Sequence, residues 1–209
     1  MRRFIITAVC LMGLSLTMRA QISTITWDKH SLMIDGRRVC VAAEDFTVAG
    51  GTLGSVHAKK IAHLQDLALE MRVPIIFLND SGGARIEEGI NALNGYGEIF
   101  QRHVKASGVI PQISAIFGNC GGGLALFPAM TDFALMESDA RLFVNSPNAF
   151  AGNREDKDDT ASAASKAAAG NVDFVGSQEE VLGQIRFLIS MLPSNNEDEA
   201  SEECADDLN

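Results

Sequence analysis

Two apolar runs in the middle of the chain each lead directly into a cluster of glycines. Residues 74–80 precede Gly82 and Gly83, and residues 114–118 precede a second cluster that includes Gly121. Short apolar runs bounded by glycine predict buried strands that end in tight turns, and a segment with helical character follows each turn. Because the first N–H groups of a helix have no partner within it, each turn could hold an anion or a developing oxyanion.

A single glycine cluster is explained equally well by a tight turn or by close packing of a helix on a sheet. Two clusters in consecutive strand–turn–helix units favour a common role instead. If the two turns face each other, their main-chain N–H groups would supply the two donors of an oxyanion hole.

The rest of the chain alternates between strand and helix patterns. Asp35-Gly36 lies between two apolar runs and predicts a β-hairpin. Apolar positions at helical spacing predict helices at residues 56–71, 86–107 and 178–191. The second of these helices is expected to break near Gly95-Tyr96-Gly97. Further segments are short strands at residues 131–136 and 141–144 and a stretch of weak helical character at 153–171. This alternation predicts an α/β fold with a mostly parallel sheet.

The composition describes a globular protein with one substantial core. The chain has 209 residues, of which 46% are hydrophobic, and a net charge of −10 at pH 7. This length predicts one domain, and the acidic balance provides no basic face for a nucleic acid. The cysteines are Cys10, Cys40, Cys120 and Cys204. They lack the paired spacing of metal ligands, so we expect reduced thiols and no bound metal.

Several longer segments form a specific pattern between residues 35 and 196. They are Ala43-Glu44-Asp45-Phe46-Thr47-Val48, Asn79-Asp80-Ser81-Gly82-Gly83-Ala84-Arg85, Tyr96-Gly97-Glu98-Ile99-Phe100, Ala106-Ser107-Gly108-Val109-Ile110-Pro111 and Leu192-Pro193-Ser194-Asn195-Asn196. This pattern resembles the carboxyltransferase (β-type) subunits of biotin-dependent acyl-CoA carboxylases, decarboxylases and transcarboxylases, of which it covers the first crotonase-like domain. The resemblance implies a single α/β domain of the ClpP/crotonase type, a superhelix of ββα units.

The resemblance also implies the reactants and the site. An acyl-CoA is expected as ligand, and carboxyl-biotin on a separate carrier protein or domain as the other reactant. Since the cofactor can serve as the base, the protein needs mainly to position the reactants and to stabilise oxyanions. The implied main-chain oxyanion donors are Gly83, Ala84, Gly122, Gly123 and Leu124. The implied acyl-CoA-binding residues are Ala43, Lys59, Gly82, Arg85 and Gly121.

Members of this family usually carry two crotonase-like domains, with the active site between one domain and its counterpart across a dimer. We therefore expect a second carboxyltransferase domain or subunit, a biotin carboxyl carrier protein and a homo- or hetero-oligomer. The alternative is a catalytically inactive assembly subunit with the same fold. The predicted segments are an atypical apolar segment at 1–33, the crotonase-like domain at 34–196 and an acidic tail at 197–209.

The first twenty residues leave two interpretations open. Met1-Arg2-Arg3 and the apolar run that follows resemble a secretory signal, but Met18 and Arg19 make a poor cleavage site. The run is too short to predict a membrane span. Because acyl-CoA and biotin carriers are intracellular, the resemblance favours an uncleaved segment and a cytoplasmic location, with export as the alternative.

Five side chains near these motifs have both a structural and a chemical interpretation. Cys120 is predicted to be a small packing residue rather than a nucleophile, since no His or Asp is placed to activate it. Asp80 is predicted to accept hydrogen bonds from turn amides. Arg85 could bind a CoA phosphate or form a structural ion pair. Lys59 could contact a phosphate, although a solvated helix face is favoured. His103 is predicted to be a surface or hydrogen-bonded helix residue.

Overall fold

A mostly parallel sheet runs through the protein in a computed structural model that describes residues 27–28, 31–145 and 159–198. Its strands are β1 (Trp27–Asp28), β2 (Ser31–Ile34), β3 (Arg37–Ala43), β4 (Ile75–Ser81), β5 (Gln112–Gly121), β6 (Phe133–Glu137), β7 (Arg141–Phe143) and β8 (Phe174–Gly176). The strand order is β1-β2-β3-β4-β5-β6-β8, and β7 pairs with the end of β5. The first three strands are antiparallel, and from β3 onward neighbouring strands are parallel.

Helices cover the sheet and supply the connections between the parallel strands. They are α1 (Ser55–Met71), α2 (Ile90–Ala106), the one-turn helix α3 (Phe127–Met130), α4 (Ala163–Ala168) and α5 (Gln178–Met191). Short 3₁₀ helices span Ala49–Gly51, Ile86–Glu88 and Gly122–Leu126. α5 begins with a capping box in which Ser177 and Glu180 each accept the main-chain N–H of the other. The predicted hairpin at Asp35-Gly36 and the helices predicted at residues 56–71 and 178–191 are confirmed.

The side chains of β4 alternate between two cores on opposite faces of the sheet. Ile75 and Phe77 pack with α1 and α2 in one core, and Ile76 and Leu78 pack with α5 in the other. Because both faces are covered, all seven residues of β4 are buried. This double coverage explains why the strand is a continuous apolar run rather than an alternating pattern.

The predicted break in the helix over residues 86–107 is wrong. α2 is continuous from Ile90 to Ala106, and only Ile86–Glu88 before it forms a separate 3₁₀ helix. Gly95 lies where α2 crosses α1, and a Cβ atom added there would be 2.5 Å from the Cβ atom of Ala58. The glycine therefore permits close approach of two helices and does not interrupt one.

The expected helix after the second glycine cluster is reduced to the 3₁₀ helix Gly122–Leu126 and the single turn of α3. β5 itself continues to Gly121, so Gly118 is a strand residue. A side chain at Gly118 would overlap the Asp80 carboxylate, and a Cβ atom at Gly121 would lie 2.8 Å from the Phe143 ring. These two glycines are needed for close packing inside the strand, which is why they do not mark the turn.

Both ends of the sequence lie largely outside the described residues. The N-terminal apolar segment and residues 199–209 of the acidic tail are among them, as are residues 146–158. At the start of the tail, Glu197 forms an ion pair with Arg72 at 2.7 Å. Within the described ranges, no helix combines the length and apolar character needed to span a bilayer. The signal-peptide hypothesis and the limits of the predicted segments stay predictions.

Candidate functional site

The two glycine turns meet at one edge of the sheet. β4 and β5 are parallel neighbours with Ser81 paired to Cys120, so the turns that follow them emerge side by side. A Cβ atom on Gly83 would be 3.0 Å from the Gly121 carbonyl oxygen, and one on Gly122 would be 3.7 Å from the Gly83 Cα atom. Gly83 and Gly122 have φ angles of 111° and 62°, which favour glycine. The sequence expectation that the turns face each other thus has a structural basis.

Some main-chain N–H groups of these turns form hydrogen bonds within the protein, and others remain available to a ligand. Gly83 donates to the Ser81 hydroxyl at 3.1 Å, and Gly82 donates to the Gly50 carbonyl at 3.1 Å. Ala84 donates none of the turn, loop or side-chain hydrogen bonds found within the described residues. Gly122 and Gly123 begin a 3₁₀ helix, whose first N–H groups have no partner inside the helix. The arrangement can therefore offer one donor from each turn to an oxygen atom between them.

The predicted acyl-CoA-binding residues lie along the same edge. Ala43, Gly82 and Gly121 are at or just beyond the carboxyl ends of β3, β4 and β5, three adjacent parallel strands. Lys59 is exposed on the second turn of α1, whose N-terminus is at this edge. The fold brings the three main-chain positions together, and Lys59 lies exposed on the helix, without an ion pair to another described residue.

Arg85 is tied into the structure. Its guanidinium donates to the Thr52 carbonyl at 3.0 Å and pairs with Glu88 at 3.2 Å. Glu88 in turn accepts the N–H of Ser55, the first residue of α1, at 2.6 Å. This hydrogen bond is the main cause that lowers the pKa of Glu88. Of the two interpretations left open for Arg85, the structural ion pair is the arrangement observed.

Cys120 has the packing role predicted for it, and Asp80 is a main-chain hydrogen-bond acceptor as predicted, although the N–H of Asn119 that it accepts belongs to β5 and not to a turn. The buried Asp80 carboxylate accepts the Asn119 N–H at 3.1 Å, just before the second turn. Cys120 is fully buried, with its sulfur atom 3.5 Å from the Leu124 carbonyl oxygen. Burial raises the pKa of the Cys120 thiol well above its ordinary value, and the charges of Glu44 and Asp80 add to the effect. The uncharged thiol packs against the turn and is unsuited to nucleophilic attack.

Two polar residues behind the turns were missed by sequence reasoning. Glu44 follows β3 and is 3% exposed, and Tyr96 on α2 is 4% exposed. Neither carboxyl oxygen of Glu44 nor the Tyr96 hydroxyl has a hydrogen-bond partner with acceptable geometry among the described residues. The signal for Glu44 was present, because a charged residue directly after a buried strand and before a glycine-rich loop is at the edge where sites form.

His103 is buried on α2, away from the glycine turns. Its Nδ1 atom is 2.9 Å from the Gln112 side-chain oxygen, and the Gln112 amide donates to the His103 carbonyl at 3.1 Å. The prediction of a hydrogen-bonded helix residue is confirmed, and burial lowers its pKa. In the part of the chain that the structure describes, no group of three or more His, Cys, Asp or Glu side chains could hold a metal ion.

Comparison with known families tests the resemblance that the sequence motifs indicated. Residues 31–209 match the family described as carboxyl transferase domain. The chain belongs to this family. The resemblance inferred from the sequence motifs is thereby confirmed, since the match covers both glycine turns and the strands that precede them.

The relatives are named as carboxylases and decarboxylases. The chain is 51% identical over 168 residues to the putative propionyl-CoA carboxylase beta chain of Bacillus subtilis, covering 78% of this chain and 33% of that protein. It is 44% identical over 184 residues to methylmalonyl-CoA decarboxylase subunit alpha of Propionigenium modestum, covering 85% and 36%. The chain therefore spans about a third of the length of these relatives.

Solved structures confirm the predicted crotonase-like α/β fold. The transcarboxylase 12S structure, described as a hexamer with methylmalonyl-coenzyme A and methylmalonic acid bound, superposes with a TM-score of 0.78 at 40% identity. It covers 82% of this chain and 34% of that one. A chain of a Pseudomonas malonate decarboxylase heterodimer shares the fold with a TM-score of 0.70 at 24% identity, covering 81% and 80%.

Proposed function

We propose that this chain is the acyl-CoA-binding half of a biotin-dependent carboxyltransferase. It moves a carboxyl group between carboxyl-biotin and an acyl-CoA of the acetyl, propionyl or methylmalonyl type. The observation that carries the proposal is the contact between the two glycine turns, with Gly83 beside Gly121 and Gly122 beside Gly83. The names of the relatives at 51% and 44% identity support this substrate class.

Main-chain N–H groups would make the protein's contribution to the reaction, which is to stabilise an oxyanion. A thioester carbonyl placed between the turns accepts hydrogen bonds from Ala84 on one side and from Gly122 or Gly123 on the other. These donors stabilise the negative charge that the oxygen gains when the neighbouring carbon loses a proton or a carboxyl group. Carboxyl-biotin, when bound, supplies the carboxyl group and a basic nitrogen. The glycines fit such reactants because a side chain at Gly83 or Gly122 would enter the space between the turns.

The phosphates of CoA would lie along the start of α1. Lys59 and Lys60 are exposed there, and His57 is half-buried one turn earlier. Burial is the main cause that lowers the pKa of His57; a hydrogen bond with the Thr52 main chain opposes the shift, and the charges of Arg85 and Lys60 add to it, so the neutral form is favoured. The two lysines therefore supply the positive charge for a phosphate, and Arg85 contributes through its effect on the loop that it holds.

An apolar rim around the glycine turns supports a second half as partner. Its exposed members follow the carboxyl ends of β3, β4 and β5, and they are Val48, Val56, Ile86, Ile90, Leu93 and Leu126. Large exposed apolar side chains grouped in this way are typical of an interaction surface. We propose that a second carboxyltransferase domain or subunit covers this rim within an oligomer, and that a biotin carboxyl carrier protein delivers the cofactor to the interface.

An inactive assembly subunit is the second candidate. The commitment of the Gly83 N–H to Ser81 and of Arg85 to Thr52 and Glu88 favours it, because both groups then serve the fold. Such a subunit would use the same apolar rim to bind its partner. It would not accelerate carboxyl transfer when that partner is present.

Calorimetric titration of the full chain with propionyl-CoA and methylmalonyl-CoA tests the proposed function. We expect either ester to bind at least about tenfold more tightly than free CoA, because only the ester offers an oxygen to the turns. Carboxyl transfer to biotin is expected only after the second half is added. Ester binding without transfer in that complex would indicate the assembly subunit. Equal binding of ester and free CoA, or full activity of the monomer alone, would contradict the proposal.

We propose from these substrates that the protein is cytoplasmic and that its N-terminal segment is retained. The intact mass of the native protein from its source cells is therefore expected to include residues 1–20. A mature form that begins at Gln21 and is found outside the cytoplasm would show that the segment is a working signal peptide.

A further inference from the structure

α2 carries a line of exposed apolar residues from its first turn to its last. Ile90 is 79% exposed, Leu93 is 61% exposed and Val104 is 67% exposed. Residues three, four or seven positions apart lie on the same face of a helix, so these side chains form one stripe with Gly97 between them. Since the opposite face of α2 packs in the core, the α2 stripe is a second apolar face on the same helix. An exposed apolar face of this kind is typical of a surface that binds a partner.

Gly97 lies in the middle of the α2 stripe without a packing role among the described residues. It is exposed, and a Cβ atom added there would meet no heavy atom within 4 Å. Gly95, by contrast, is required by the close contact of α2 with Ala58 on α1. Glycine in the interior of a helix is less favourable than alanine, so the folding of this chain alone does not explain Gly97. A second helix that crosses the stripe at this position would explain it, because glycine permits the closest approach of another main chain.

The two ends of the α2 stripe carry opposite charges. Glu87 is exposed in the 3₁₀ helix that precedes α2, and Lys105 is exposed in the last turn of α2. Neither belongs to an ion pair among the described residues, whereas the neighbouring Glu88 and Arg102 each have a partner. Glu87 and Lys105 lie at similar distances along the chain on either side of Gly97. An antiparallel copy of α2 centred on Gly97 would therefore bring the Glu87 of each copy close to the Lys105 of the other.

We propose that two copies of this chain pair through the α2 stripe, with the two helices antiparallel and crossing at Gly97. The same surface serves both copies, so each contact occurs twice. A parallel arrangement would place like charges together at each end of the stripe, which disfavours it. The inference does not rest on the proposed function, because no reactant takes part in the contact. Ile90 and Leu93 also belong to the apolar rim, so a copy bound there and the proposed second half would exclude each other.

The size of the α2 stripe predicts weak pairing. α2 has 17 residues, so it is about 25 Å long, and a face about 12 Å wide covers roughly 300 Å² on each copy. Stable interfaces bury about 800 Å² on each partner, so this contact belongs to the weak class. We therefore expect a monomer–dimer equilibrium with a Kd of about 10–100 μM.

Sedimentation equilibrium of the full chain between about 5 and 300 μM, at low salt and without any CoA ester, tests the pairing. Leu93→Glu should weaken it at least about tenfold, because the contact would then bury a carboxylate from each copy. Phe187→Glu is the matched control, since Phe187 is 52% exposed on α5 and undergoes the same exchange of an apolar side chain for a carboxylate. The control should keep the Kd within about twofold of the wild-type value.

Charge reversal tests whether the partner is an antiparallel copy. Glu87→Lys and Lys105→Glu should each weaken pairing about three- to tenfold, because two attractive contacts become repulsive. An equimolar mixture of these two variants should recover the wild-type Kd within about twofold, since each lysine then faces a glutamate of the other chain. The double variant should pair like wild type for the same reason.

Four results would contradict the inference. They are a wild-type monomer at every concentration, unchanged pairing of Leu93→Glu, equal weakening by Phe187→Glu, and a mixture of the charge-reversal variants that pairs no better than either alone. If circular dichroism shows that Leu93→Glu is not folded, the charge-reversal variants decide, because both of their positions are exposed and belong to no ion pair in the described residues. Failure of the chain to bind propionyl-CoA would count against the proposed function alone.

Discussion

Replacement of Gly122 by valine is expected to reduce carboxyl transfer by about 10²–10³-fold, the usual loss when one oxyanion donor is removed. Gly122 has a φ angle of 62°, in which a β-branched residue is strained by roughly 1–3 kcal/mol. A Cβ atom at this position would be 3.7 Å from the Gly83 Cα atom, so the two methyl groups of valine would enter the space between the turns. The rate of transfer between methylmalonyl-CoA and biotin, measured in the complex with the second half, checks this result.

Gly170→Val is the matched control for this experiment. Gly170 has a φ angle of 71°, and a Cβ atom there would meet no atom within 4 Å, so the variant has the same backbone strain without an obstructed site. Cys120→Ala separates main-chain from thiol chemistry and should keep most of the activity, because the buried thiol only packs against the turn. Near-normal transfer by a folded Gly122→Val variant, or an inactive Cys120→Ala variant, would contradict the main-chain mechanism. Circular dichroism establishes that each variant is folded.

Replacement of Phe127 by alanine is expected to lower the free energy of unfolding by about 3–5 kcal/mol. Phe127 is 1% exposed, and its ring contacts the rings of Phe77, Phe100 and His103 with centroid distances of 6.0, 5.8 and 5.0 Å. Truncation leaves a cavity that these aromatic rings cannot fill without leaving their own positions. Urea unfolding followed by fluorescence or circular dichroism measures the change.

Phe187→Ala provides the control for the loss of an aromatic ring. Phe187 is 52% exposed on α5, so its removal should change the free energy of unfolding by about 0.5 kcal/mol. Because Phe127 begins α3 immediately after the second glycine turn, its truncation should also weaken binding of propionyl-CoA. Equal stability of the two variants would show that the aromatic cluster does not anchor the turn.

The elements that could be predicted from the sequence are those whose pattern depends on burial. β4 is covered on both faces and is therefore a continuous apolar run, and α5 has a capping box at its start and an apolar stripe along its length. Glycine misled the prediction where its role was close packing. Gly95 allows α1 and α2 to approach, and Gly121 packs against the Phe143 ring as the last residue of β5, so both are set by tertiary contacts that a local pattern does not contain.

The candidate site was predictable to the extent that it consists of main chain. The two turns follow adjacent strands, and their glycines marked them in the sequence. The residues behind the turns were not predictable in this way, because Glu44 derives its properties from burial and from Asp80, and Tyr96 from burial and from Glu44. Tyr96 belongs to a helix pattern in which an aromatic residue carries no special signal. Which N–H groups remain available also depends on Ser81, whose hydroxyl accepts the Gly83 N–H.

The crossing of α1 and α2 at Ala58 and Gly95 constrains how this protein can evolve. Any side chain at position 95 would collide with Ala58, whose Cβ atom would be 2.5 Å from the new one. Tyr96 is the next residue in the chain, and its ring lies against Gly123, so a helix displaced at position 95 would carry the movement to the second turn. Alanine at position 95 is therefore expected to be better tolerated once position 58 has become glycine. The mutational history of the site is in this way tied to a pair of small residues on two helices, neither of which belongs to the glycine turns.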